Sequence, residues 1–298
     1  GKPGDKSPAR LKAAGLFRGL PRRKGMTTPH RPLLAALWMT GAIAAFTAMA
    51  IATRQIKGVH DTFEILAYRS VVGFLVVVAV GWAMGQLGRI RRDRLGGHAL
   101  RNLLHFTGQS LWFWALTLIP LAQVFALEFT SPIWVTLLAP VVLGERLTRS
   151  KLLAAGLGFA GILIVAQPDF GHPDIGVLAA AGSAIFFAST TLMTKRLTRD
   201  EAVIGILFWL TLMQTGFGFA AVLADGEMTL PTLATLPWLG LIGCAGVTAH
   251  LCLTTALSLA PASMVVPVDF ARLPVIAVVG ALFYAEPVEP TLFLGAGL

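Results

Sequence analysis

The chain repeats itself at an offset of 141 residues. The segment ALTLIPLAQVFALEF (115–129) returns without a gap as ALSLAPASMVVPVDF (256–270). The same offset sets Pro120 on Pro261, Glu128 on Asp269, Phe129 on Phe270 and Glu145 on Glu286. It also sets Gly41 on Gly182, Phe46 on Phe187, Thr53 on Thr194, Arg54 on Lys195 and Thr107 on Thr248. Each copy holds five apolar spans, and an odd number forces the second copy to cross a membrane in the opposite sense to the first. Inverted repeats of this kind place a binding site near the bilayer midplane, between the halves.

Composition supports a membrane reading: 55% of the residues are apolar, 13% are charged, and mean hydropathy is +0.73. Ten spans follow, at 33–53, 65–84, 103–119, 122–143, 152–165, 175–193, 202–224, 236–259, 262–284 and from 290 onward. Most approach the roughly 20 residues that cross a hydrocarbon core as a helix. The runs are continuous rather than alternating, which excludes a membrane barrel. The expected fold is all-α, a polytopic membrane protein of ten transmembrane helices in two inverted five-helix repeats. A basic, disordered cytoplasmic tail is expected over 1–32, the first repeat over 33–166 and the second over 174–298. The tenth span opens at Pro290, and its repeat partner places its end near 307, so it is cut short at Leu298.

A net charge of +9 points to nucleic acid only until the charges are placed. Of 24 Lys and Arg, nine precede the first span and five (Arg89, Arg91, Arg92, Arg94, Arg101) lie between spans two and three. Three (Arg146, Arg149, Lys151) follow span four and three (Lys195, Arg196, Arg199) follow span six. The opposite side carries Arg54 and Lys57 and is otherwise acidic (Asp169, Asp174, Asp225, Glu227, Glu286, Glu289). By the positive-inside rule both termini face the cytoplasm of a bacterial inner membrane, and topology accounts for the charge without nucleic acid. Cys244 and Cys252 lie about 12 Å apart along one helix, too far to bond, and read as packing residues with no metal spacing.

Two segments, TSPIWVTLLAPVVLGERLT (130–148) and ARLPVIAVVGALFYAEPVEP (271–290), carry a proline in mid-span and a terminal GE or AE. In these features the chain resembles the drug/metabolite transporter superfamily, specifically its EamA-like members, from residue 33 to the end. The resemblance implies that spans one, three, four, six, eight and nine surround a central cavity. Spans five and ten are then peripheral, with small residues over 154–161 and at Gly295 and Gly297 for close packing. In length and aromatic content the chain is most similar to amino-acid exporters of the YddG type.

Ionisable groups inside spans are costly and face a partner or a wet cavity. Arg69 and Glu128 lie one to two turns below the outer surface, where similar depth permits a pair. Asp269 and Arg272 share a helical face near the inner surface. Either pair is a structural salt bridge or a substrate and gate contact, and a zwitterion would suit both. Span three carries His105, Gln109 and Trp112 on one stripe, and span eight carries Thr248, His250 and Thr254. Ser183, Ser189, Thr190 and Thr191 on span six read mainly as hydroxyls bonded back to their own helix. Trp38, Phe46, Trp112, Trp114, Phe186 and Phe187 supply a candidate aromatic wall. Pro132 and Pro140 in span four, and Pro267 and Pro274 in span nine, are candidate hinges, because each removes a backbone hydrogen bond.

No constellation of an enzyme is present, neither HExxH, nor GxSxG with histidine, nor paired intramembrane aspartates. No phosphate-binding loop points to ATP drive, and no cofactor is implied. The expected function is secondary transport of small metabolites, amino-acid export foremost, by alternating access. The alternative is export of cationic drugs or carriage of a vitamin or nucleobase with proton coupling. The expected partners are a small-molecule substrate, amino acids foremost, and membrane lipid, with the oligomeric state left open.

Overall fold

A computed structural model describes residues 31–56, 58–119, 121–166, 175–272, 275, 278 and 279. The amino-terminal tail, Asp169, Asp174, Pro274, Glu286, Glu289 and the whole tenth span, with Gly295 and Gly297, lie outside the described residues. The helices are α1 (Pro32–Gln55), α2 (Thr62–Ala83), α3 (Leu95–Leu118), α4 (Leu121–Glu128), α5 (Ser131–Val142) and α6 (Arg149–Ala166). They continue as α7 (Ile175–Leu197), α8 (Val203–Asp225), α9 (Leu236–Leu259) and α10 (Ala262–Val265), the last running into a 3-10 segment, Val266–Ala271. Among the described residues there is no strand. Five helices are long and apolar enough to cross a membrane, namely α1, α2, α7, α8 and α9. Side chains such as Leu37, Leu75, Trp82, Leu153 and Leu223 point outward, as a lipid-facing surface requires.

Spans four and nine depart from expectation, since span four is interrupted after Glu128 and span nine tightens from α-helix into a 3-10 helix at Val266. Pro132 sits in the first turn of α5. It lacks an N–H and crowds the carbonyl four residues back, that of Glu128, so α4 stops there. Pro267 sits in the first turn of the 3-10 segment, where its missing N–H removes the bond to the Ser263 carbonyl and favours the change of helix type. Pro140 lies inside α5. Span three also differs: α3 begins at Leu95, eight residues before the expected start, and takes Arg101 and Asn102 into the bundle.

The closest helix pairs are α1 with α9, α3 with α7, and α2 with α8. The 141-residue offset carries α1 onto α7 and α3 onto α9, so the first two pairs are one contact with its halves exchanged. The third pair joins repeat-related helices to each other. Small residues let these backbones approach, which matters where lipid supplies no hydrophobic drive. A Cβ at Gly218 would stand 2.9 Å from Ala67 Cα, and one at Gly243 would stand 2.5 Å from Val72 Cβ.

The largest apolar cluster seals the end where α1 begins and α5, α7 and α9 finish, called the inner end below. It includes Ala35, Met39, Val135, Leu143, Leu192, Leu257 and Val265. Cys252 belongs to it and the half-buried Trp38 packs against it.

Substitution Gly218→Ala should lower the melting temperature of the detergent-solubilised protein. The overpacking amounts to about 1–3 kcal/mol because the opposing atoms are backbone. On the same helix, Gly216→Ala meets nothing within 4 Å and should leave the melt unchanged.

Candidate substrate site

The two broken spans bring their charges together. Arg272 donates one guanidinium nitrogen to Glu128 Oε1 at 2.8 Å and to Asp269 Oδ2 at 3.1 Å. The second oxygen of Glu128 accepts a hydrogen bond from Trp112 Nε1 at 2.9 Å. The guanidinium lies 4.9 Å from the Phe129 ring centre and 5.2 Å from that of Phe46. Glu128 therefore pairs with Arg272, and the Arg69–Glu128 pair permitted by sequence does not form. The expectation put Glu128 near one surface and Asp269 near the other. Each in fact lies seven residues from the start of its span, on opposite sides. Seven helical residues cover about 10 Å of a core about 30 Å thick, and the 3-10 segment rises about 2 Å per residue, so both approach mid-depth.

A second polar group runs across α2, α3, α8 and α7. Arg69 donates to Gln109 Oε1 at 2.7 Å, and Gln109 Nε2 donates to Gln214 Oε1 at 3.2 Å. Gln214 Nε2 donates to the Asn102 carbonyl at 2.9 Å. Arg101 donates to Asn102 Oδ1 at 2.9 Å and to Thr194 Oγ1 at 3.1 Å. Arg101, Asn102, Gln109, Gln214 and Thr194 are all buried. One turn from both Arg101 and Gln109, His105 meets His250 ring to ring at 5.2 Å and Phe187 at 6.0 Å. Phe46 stands edge-on to His250 at 5.9 Å, and so touches both polar groups.

Not every residue singled out in the sequence reaches this region. Trp38 packs in the inner apolar cluster. Thr248 lies on the exposed face of α9, two residues and half a turn from His250, and its hydroxyl donates back to the Cys244 carbonyl. Ser183, Ser189 and Thr190 donate back to carbonyls of their own helix. Arg101, Asn102 and Gln214 were passed over. Asn102 and Gln214 carry the signal of an amide in an apolar window, while Arg101 reads as a connector charge in the sequence because the apolar run begins only at Leu103, eight residues inside the helix. A groove of about 540 Å³ between α2 and α3, lined by Phe63, Phe106, Ser110 and Trp114, is mostly apolar and lies apart from these polar groups.

The inner end is closed by charge as well as by apolar packing. The Glu145 carboxylate accepts from the Ala262 N–H at 3.1 Å and the Ser263 hydroxyl at 2.7 Å, capping α10. Lys195 donates to the carbonyls of Leu257 and Ala260, and Arg199 to that of Leu143. At the outer end, buried His60 bridges Glu64 at 3.1 Å and Thr235 at 3.1 Å, tying the loop after α1 to the segment before α9.

A helical membrane bundle with interrupted spans and buried polar groups between its halves is the architecture of a transporter rather than an enzyme. The chain belongs to the EamA-like transporter family, whose pattern matches residues 33–167 and again 174–298, and so to the drug/metabolite transporter superfamily. It is 31% identical over 280 residues to the "Riboflavin transporter" of Vibrio cholerae, covering 92% of each chain. The "Riboflavin transporter" of Rhizobium johnstonii is also 31% identical, over 91% of this chain and 89% of its own. The "S-adenosylmethionine uptake transporter" of Rickettsia bellii is 22% identical over 259 residues, 87% of this chain and 88% of its own. A solved crystal structure shares the fold with a TM-score of 0.74 at 19% identity, covering 88% of this chain and 92% of its own.

Substitution Arg272→Gln should destabilise the protein by about 2–3 kcal/mol, because it leaves two half-buried carboxylates without their cation. Adding Glu128→Gln and Asp269→Asn should recover much of that loss, which thermal melts of the single and triple variants will measure.

Proposed function

We propose that this protein carries riboflavin across the bacterial inner membrane by alternating access. The observation that carries the reading is its 31% identity, over 92% of both chains, to a protein named riboflavin transporter. The chemistry of the buried groups agrees with it. Riboflavin is a neutral molecule with a flat three-ring system, one polar ring edge that both donates and accepts hydrogen bonds, and a chain of hydroxyls. Phe46, Phe187 and Trp112 offer aromatic faces. Gln109 and Gln214 offer amides that donate and accept, and His105 and His250 bring imidazoles. A mostly apolar pocket with a few convergent polar groups is the usual form of such a site.

Amino-acid export fits this arrangement less well. A zwitterion needs a free carboxylate and a free cation side by side, and Glu128, Asp269 and Arg272 are already engaged with one another. The basic connectors favour a cytoplasmic position for the inner end, with its Glu145 cap. Breaks beside Pro132 and Pro267 would let spans four and nine swing as short arms about the buried centre.

Expressed in a bacterium unable to make or import riboflavin, the protein should support growth on external riboflavin. Uptake of the labelled vitamin should be saturable and insensitive to excess amino acids. Gln109→Leu should reduce uptake about tenfold, as loss of a buried hydrogen-bonding amide implies. Saturable amino-acid efflux from proteoliposomes, with no riboflavin uptake, would replace this reading with export.

A further inference from the structure

Arg69 and Arg101 enter the bundle without a carboxylate partner among the described residues. The contacts of Arg101, which is 2% exposed, are to the neutral groups Thr194 and Asn102. Arg69 donates to Gln109 and approaches Met49 Sδ at 3.7 Å. Arg272, by contrast, has two carboxylates. Neutral acceptors spread a guanidinium's charge without cancelling it, and an uncompensated cation in a membrane interior is strongly unfavourable.

The two arginines are linked through one stripe of α3. Arg101, His105 and Gln109 follow one another at four-residue spacing, about 12 Å of helix in all, and Arg69 reaches the far end by bonding Gln109. His105 and His250 meet beside this stripe, 7% and 8% exposed. Both ring nitrogens of His105 and Nδ1 of His250 lack a hydrogen-bond partner. Buried polar atoms are nearly always satisfied, so unpartnered imidazole nitrogens between two uncompensated cations mark a place for a ligand. A guanidinium fork and neutral imidazole N–H groups are donors suited to an oxyanion.

We propose that the Arg101–His105–Gln109 stripe, with Arg69 and His250, is an oxyanion subsite of the transport site. Its occupant is a phosphate, either esterified to the transported molecule or travelling free beside a neutral one. The proposal builds on the flavin reading only for the identity of the ester, riboflavin 5′-phosphate. It does not need that reading for the anion.

The test uses the full chain in lipid nanodiscs. Binding of riboflavin and of riboflavin 5′-phosphate is followed by quenching of flavin fluorescence, and inorganic phosphate is titrated alone while the melting temperature is read. An esterified occupant predicts that the phosphate ester binds at least tenfold more tightly than riboflavin and that inorganic phosphate displaces it. A free occupant predicts that inorganic phosphate raises the melting temperature and tightens riboflavin. In either case Arg101→Gln should abolish the phosphate effect and Arg101→Lys should retain part of it. The wild-type titrations stand even if a variant fails to fold. Phosphate binding without any flavin binding supports the subsite and overturns the flavin reading. An ester that binds no more tightly than riboflavin, together with a melting temperature indifferent to phosphate, overturns the subsite.

Discussion

In a bilayer, a helix that stops halfway leaves carbonyls and amides with no water to receive them, so the break must be buried within protein. Here the interruptions in spans four and nine are laid against each other, although their prolines are not repeat-equivalent, since the offset carries Pro132 onto Leu273 and Pro267 back onto Ala126. Pro132 and Pro267 end the first halves of spans four and nine. Arg272 then joins Glu128 to Asp269 across the junction, and Phe46 and Phe129 cover the guanidinium. The rest of the bundle follows from this requirement. The helices around the junction must stand close and bring polar side chains inward, which is what Gly158 against Phe270, Gly108 against Phe187 and the glutamine pair permit.

The two polar centres have opposite character. The junction holds two carboxylates and one guanidinium, while the α3 stripe holds guanidiniums and imidazoles with no carboxylate among the described residues. Phe46 touches both. Low dielectric strengthens attraction within the first centre and raises the cost of leaving the second unpaired. One centre is thus complete within the protein, and the other calls for something from outside it.

Much of the architecture was legible because its cause lies in one-dimensional patterns. Long apolar runs read as helices, and the repeat offset carried Glu128 onto Asp269. What escaped depended on distances between spans. Similar depth in the sequence permits a Glu128–Arg69 pair, whereas the 3-10 segment Val266–Ala271 brings Arg272 to Glu128 instead. Arg101 looked like one more topogenic charge until α3 proved to start at Leu95. Thr248 matched the polar pattern of its neighbours, yet a two-residue step on a helix turns it away from His250. Which face looks inward is decided by the partner helix, and no single span encodes it.

The repeat is imperfect at its most charged point, for the offset that carries Glu128 onto Asp269 carries Ser131 onto Arg272. A carrier made of two identical halves would rest equally well facing either side of the membrane. Here a single cation is fixed to one arm and shared by the acids of both, so moving that arm is not the mirror image of moving the other. Under the proposed alternating access the two facings are therefore unequal in energy, which gives the protein a resting direction of its own, independent of any gradient imposed on it.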